Sequence, residues 1–480
     1  MDLEGLRGWI DSFLGAHEEE RHQIALAQRR RPELGALYAA NRKLFASERI
    51  TEVQRALAAS AGAEERRLRS VLEFLAGGRA LAESGDALDE LVSWKIFGSV
   101  VVGESRIPHR QIPGALRLAG DPERRHAIEE AHLATLDEQR HLVDAFLGRQ
   151  KEGIAELGYG SHVDAMQILA GIDLRAVARD GEEFLARTRD MYDELLAWHL
   201  PRVAGAQVGE ATLADALRLS AAPEFEPLLP GADRNRRIAE TIGETGLDPA
   251  AEGRIEIDWE AYLGAATGAI YWAPRVPEEV RLAVTARSGR MAVASFLREY
   301  GMGLHAAYTD PELPVEQRRL GDASVPMATG RLFESLLQVP AFVTRLYDIP
   351  KHRLEDYLGL AEVWRHFEIR RQIGRLHFEV AYYDGEGDDG TYAELLTNAT
   401  GVRHDPREAL WTVDPGFGSA RRIRAAQLAA VLGDTLRQRF DDDWFRNPRS
   451  GGHLRDLFAP GRSYSAAELA IQMGVGRLGW

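Results

Sequence analysis

The chain has 480 residues, 45% apolar and 28% charged, with a formal net charge of −15 and no cysteine. That composition supplies a large core and excludes disulfides, thiolate nucleophiles and cysteine-ligated zinc. The acidic balance argues against nucleic acid and against an anionic membrane as partner, and no window approaches the ~20 apolar residues of a spanning helix. A soluble, cytoplasmic protein is the expectation.

The start, MDLEGLRGWIDSFLGAHEEERHQ, has an amphipathic helical pattern and lacks the basic stretch and apolar run of a signal peptide. Residues 1–200 read as helix after helix. Over 63–92, Leu68, Val71, Leu72, Leu75, Leu88 and Leu91 recur at helical intervals. The stretch 121–157 does the same behind an Asp121-Pro122-Glu123 start signal, and a third helix is predicted over about 174–198. Between 201 and 258 the texture becomes turn-rich and ends in a short alternating run, GRIEID.

The only convincing β signal follows. Residues 268–272 and 280–284 are strand-forming runs separated by Pro274 and Pro277. From about 289 the pattern is helical again, interrupted by a Gly/Asp loop at 384–390 and turns near 412–418 and 446–452. The 384–390 loop lacks the order and closing Glu of a calcium loop and reads as a solvated turn. Asp441–Asp443 is expected near a helix start. No G-x-S-x-G, P-loop or dinucleotide fingerprint is present.

Residues 273–334 read APRVPEEVRLAVTARSGRMAVASFLREYGMGLHAAYTDPELPVEQRRLGDASVPMATGRLFE. In this order of hairpin, helix and second helix the segment resembles the core of M3-type, oligoendopeptidase-like zinc metallopeptidases. There the helix carries H-E-x-G-H-x-x-H, and the second helix supplies a Glu. Two histidines at i and i+4 share one helix face and one zinc ion, and the Glu after the first acts as general base on the metal-bound water. Here Glu299, Gly301 and His305 match the pattern, whereas the three expected ligand positions hold Arg298, Met302 and Met327. Arginine does not surrender a proton to ligate zinc, and a thioether suits Cu(I) better. The later segment WTVDPGFGSARRIRAAQL is similar to the family's closing segment, but Gly418 and Arg422 stand where a tyrosine pair would face substrate.

The resemblance implies a mainly α, two-lobed elongated zincin-like fold with a small β hairpin or sheet beside a central cleft. The expected division is a helical N-terminal lobe over 1–200, a connecting region over 201–258 and a catalytic-type lobe over 259–480. It further implies a peptidase homologue that has lost zinc and binds a peptide or small anionic ligand in the cleft, an extended peptide pairing with the hairpin edge at 268–284. Zinc is expected to be absent. Glu299 is then a relict base requiring a positive partner, Arg298 or Arg422, and Arg298, Tyr300, His305 and Arg422 are candidate ligand-binding residues. Met302 and Met327 are expected to fill the vacated metal cavity, and His305 reads best as a satisfied core histidine. The competing readings are a metal-independent enzyme using Glu299 and a peptidase retaining residual activity.

Overall fold

The computed structural model describes residues 3–26, 31–229, 232–261, 268–285, 287, 289–347 and 349–480. Helices occupy most of them, beginning with Leu3–Ala25, Leu34–Ala40, Ser47–Ala58 and Gly62–Phe97. The last is kinked at Gly85, whose φ of 26° and ψ of −104° are open to glycine. The uninterrupted helical reading of 1–200 then fails. Strands β1 (Ser99–Val102) and β2 (Ser105–Pro108) form an antiparallel hairpin closed by Gly103, at φ 60°. Three consecutive valines and a glycine carry that signal in the sequence.

The predicted helix at 121–157 is two, Pro122–Glu138 and Arg140–Ala155, and that at 174–198 is also two, Leu174–Arg187 and Arg189–Ala204. Asp121 caps the first of these by accepting from the Glu123 and Arg124 backbone N–H groups, as its sequence context implies. In the Gly/Asp loop, Gly385 ends helix Lys351–Asp384 in the left-handed region and Asp388 caps helix Asp389–Thr400. Two of its other acids are paired, Asp384 with Arg175 (2.8 Å) and Asp389 with Arg140 (2.7 Å). Part of the turn predicted at 446–452 is helical: Asn447 accepts from the Arg449 N–H and starts helix Pro448–Phe458.

The second sheet holds β3 (Ile255–Asp258), β4 (Ala269–Arg275) and β5 (Glu279–Val284) in the order β3-β5-β4. β3 runs parallel to β5, and β4 pairs with β5 antiparallel with Tyr271 opposite Leu282. Strand β4 is therefore an edge. The helix Leu3–Ala25 packs on it, with the His22 ring stacked on Trp272 at 3.7 Å. The same helix is latched to the π-helical turn Glu316–Leu320 by Arg7 on Glu316 and by Asp11, which holds both Arg318 (3.1 Å) and Arg319 (2.9 Å).

Two large apolar cores form. One joins Val100, Ile128 and Leu196 to Phe225, Phe296, Leu332, Phe367 and Leu428, and so draws on both sides of position 200. The other joins Ile10, Phe13, Val71, Leu75 and Leu169 to Ile369, Ile373 and Ile423. The 34-residue helix Lys351–Asp384 contributes to both. Within the first region a fully buried ion pair ties two helices together: the Arg125 guanidinium donates to Asp215 through Nε (2.8 Å) and Nη2 (2.6 Å), both side chains being 0% exposed. Among the described residues no helix is long and apolar enough to cross a membrane.

Candidate functional site

The helix Arg290–Ala307, called the central helix below, follows β5 and lies behind β4. Its sequence buries nearly every side chain; Met291, Arg298, Glu299 and Met302 are the partly exposed ones and mark one face. A second helix, Ser324–Glu334, packs tightly against it. Glycine permits this approach: a Cβ at Gly301 would lie 2.8 Å from the Thr329 carbonyl, and one at Gly330 would lie 2.7 Å from the Arg298 carbonyl.

In an antiparallel pair alternate residues turn their N–H and C=O away from the partner strand. In β4 these are Ala269, Tyr271 and Ala273, and side chains hold four of their six backbone groups. Ser295 Oγ accepts from the Ala269 N–H (3.1 Å) and donates to the Ala269 carbonyl (3.2 Å). Glu299 Oε2 accepts from the Tyr271 N–H (3.2 Å), and Arg319 Nη2 donates to the Ala273 carbonyl (3.1 Å). The edge expected to receive an extended peptide is thus partly engaged within the chain.

Glu299 has its positive partner in Arg298, whose Nε stands 3.8 Å from Oε1. The closer partner of Arg298 is Glu334, at the end of the second helix, with Nη1 to Oε1 at 3.1 Å. Glu334 foremost, then Glu299, hold the Arg298 guanidinium above its ordinary pKa against the cost of burial. Burial pushes the Glu299 carboxyl up, and Arg298 and the Tyr271 N–H pull it part of the way back.

The other candidate residues are placed separately. Tyr300 is buried and stacked on Phe296 at 5.4 Å. His305 is buried, donates from Nε2 to the Gly461 carbonyl (3.2 Å), and is held neutral with its pKa lowered to about 3, chiefly by burial. Met302 lies against Gly330, and Met327 packs on the larger core. Arg422 belongs to helix Gly418–Phe440, its Nη1 buried without a hydrogen-bond partner, and no ion pair links it to Glu299. A side chain at Gly418 would collide with the Asp414 carboxylate, so the position has no room for a tyrosine in this arrangement.

This donor set does not fit zinc. The first of the expected ligand positions carries an ion-paired guanidinium and the other two carry thioethers. Among the described residues no three His, Cys, Asp or Glu side chains are grouped to hold a metal ion.

Beside the start of the central helix lies a cavity of about 510 Å³, bounded by Gly114, Arg117, Leu118, Glu226, Arg287, Arg290, Met291 and Arg298 among others. Sequence reasoning reached only Arg298 of these. It also missed Glu334 and Ser295, because partners brought from other elements leave no spacing signature. The SGR run before the central helix was the one available hint, since it places Arg290 at the first helical position.

No protein-family model matches the chain. No curated protein matches it in sequence. Solved structures do match in fold. A chain from Bacillus anthracis assigned as oligoendopeptidase F aligns over 96% of this chain and 82% of its own length, with TM-score 0.61 and 11% identity. A chain from Chlamydophila abortus assigned as a peptidase aligns over 91% and 79%, with TM-score 0.58 and 13% identity. A carboxypeptidase from Pyrococcus furiosus aligns over 98% and 96%, with TM-score 0.57 and 14% identity. The architecture is the mainly helical, zincin-like peptidase fold with a small sheet beside the central helix.

Proposed function

We propose that this chain is a peptidase-fold protein released from zinc chemistry, which binds a peptide or small anionic ligand beside the central helix without zinc-dependent hydrolysis. The observation that carries the reading is Arg298. It occupies the first expected ligand position and is committed to Glu334 and Glu299, so a cation there would meet a fixed positive charge. Met302 and Met327 complete the set with donors unsuited to a hydrolytic metal.

A metal-independent enzyme built on Glu299 fits less well. Its carboxylate already accepts from the Tyr271 backbone and lies beside Arg298, with no second titrating group hydrogen-bonded to it. The test is metal content of the purified protein, together with cleavage of a mixed fluorogenic peptide library in added zinc. Absence of both is expected. Stoichiometric zinc with chelator-sensitive cleavage would overturn the reading.

A further inference from the structure

The cavity at the start of the central helix is crowded with positive charge. Arg117, Arg287 and Arg290 border it, and among the described residues none has a carboxylate within 4 Å. Arg290 is 4% exposed, and its Nε has no hydrogen-bond partner. Its Nη1 makes one long bond, 3.4 Å, to the Ser220 carbonyl, and it lies beside the buried Tyr357 hydroxyl. Arg117 Nε is likewise buried without a partner. Burial and the like charges of Arg371 and Arg298 lower its pKa against the attraction of Glu368. The fourth arginine, Arg298, is matched by Glu334.

Opposing the three arginines is Glu226, the one carboxylate lining the cavity among the described residues, which leaves two positive charges in excess there. The first N–H groups of the central helix add partial positive charge, since Gly289 at its N-cap offers no side chain to receive them. Guanidinium groups buried without an ion-pair partner, as those of Arg117 and Arg290 are, are costly unless something supplies a counter-charge.

We propose that this cavity is a binding site for a small molecule carrying a doubly charged oxyanion. Guanidinium forks and helix N-terminal N–H groups both match tetrahedral phosphate and planar carboxylate oxygens. The space, about 510 Å³, admits a ligand of ordinary metabolite size. Leu118, Met291 and Ala292 supply apolar wall for the remainder of the molecule. The proposal rests on the zinc-free reading of the same cleft, because a zinc ligand at position 298 would replace one wall of the cavity.

The test is calorimetric titration at low ionic strength of inorganic phosphate, glycerol 3-phosphate and succinate, with acetate and glycerol as controls. It is run on the natural chain, on Arg287→Gln, which changes an exposed residue and leaves the core intact, and on Arg117→Gln. At least one dianion is expected to bind with Kd below ~1 mM. Arg287→Gln should weaken it about tenfold and Arg117→Gln by more. Binding of the phosphates alone assigns the group as phosphate, and binding of succinate alone assigns it as dicarboxylate; either supports the site. No binding by any dianion, or binding unchanged in both variants, overturns it. Zinc content measured on the same preparation keeps the two failures apart. Missing anion binding in zinc-free, inert protein refutes only this proposal, whereas zinc-dependent cleavage refutes the reading beneath it.

Discussion

Replacing Arg298 by Gln removes the nearest counter-charge from two carboxylates at once, Glu334 keeping Arg331 at 4.0 Å. At an effective dielectric of ~20, its attraction is about 5 kcal/mol to Glu334 at 3.1 Å and about 4 kcal/mol to Glu299 at 3.8 Å. Those are gross terms. Desolvation cancels much of them, and the arginine side chain is 33% exposed, so a net destabilisation of about 2 kcal/mol is expected at pH 8. The loss depends on pH with a fixed sign. The folded pKa of Glu299 is already above its unfolded value, and losing Arg298 raises it further. Between the two values the folded chain holds the extra proton, so stability falls as pH rises through that window, and more steeply in the variant. Urea unfolding of both proteins should show the deficit shrinking as pH is lowered from 8 into the range where Glu299 takes up its proton. A deficit below ~0.5 kcal/mol, or one independent of pH, refutes the assignment of Arg298 as the charge partner.

Other expectations follow from the packing and the buried acids. Gly330→Ala places a methyl 2.7 Å from the Arg298 carbonyl and should cost about 1–3 kcal/mol in chemical unfolding, with no gain of metal binding. Asp215→Asn leaves the fully buried Arg125 without its counter-ion and should cost about 3–5 kcal/mol. Burial opposes the Asp215 charge, but the Thr212 N–H, His126 and Arg125 outweigh it and hold the carboxyl below its ordinary value. Its contribution to stability is therefore present at neutral pH and lost as pH falls through that depressed value. Glu379 is fully buried beside Arg375 and Ser419, and burial pushes its pKa up to about 7. The folded state then holds a proton that the unfolded state releases near its ordinary value, so Glu379→Gln should flatten the fall in stability between about pH 5 and pH 7.

The fold was legible wherever local chemistry repeats. Helical apolar periodicity, the Asp121-Pro122 start and the proline-interrupted pair of strands each encode their own structure within a few residues. The break at Thr188 was not legible, because apolar periodicity runs on through a single non-helical residue. The valine hairpin at 99–108 was hidden by its helical neighbours, although its composition announces it. At the site, the residue types at 298, 302 and 327 were informative about what cannot be ligated. What holds Arg298 was beyond reach, since Glu334 arrives from another helix at a contact set by Gly301 and Gly330. The excess charge of the cavity was equally hidden. It is a sum over arginines at 117, 287 and 290, and only folding brings them to one wall.

The occupied rim of β4 bears on how copies of this chain meet. An open strand edge is a template on which a second molecule can extend the sheet, and proteins blunt such edges with charge or with a covering element. Here the rim carries a serine, a glutamate and an arginine from its own chain, with the helix Leu3–Ala25 laid across it. The β4 edge of the sheet is thereby obstructed against intermolecular growth. Shortening that first helix should show up as self-association at high concentration before it shows up as lost helicity.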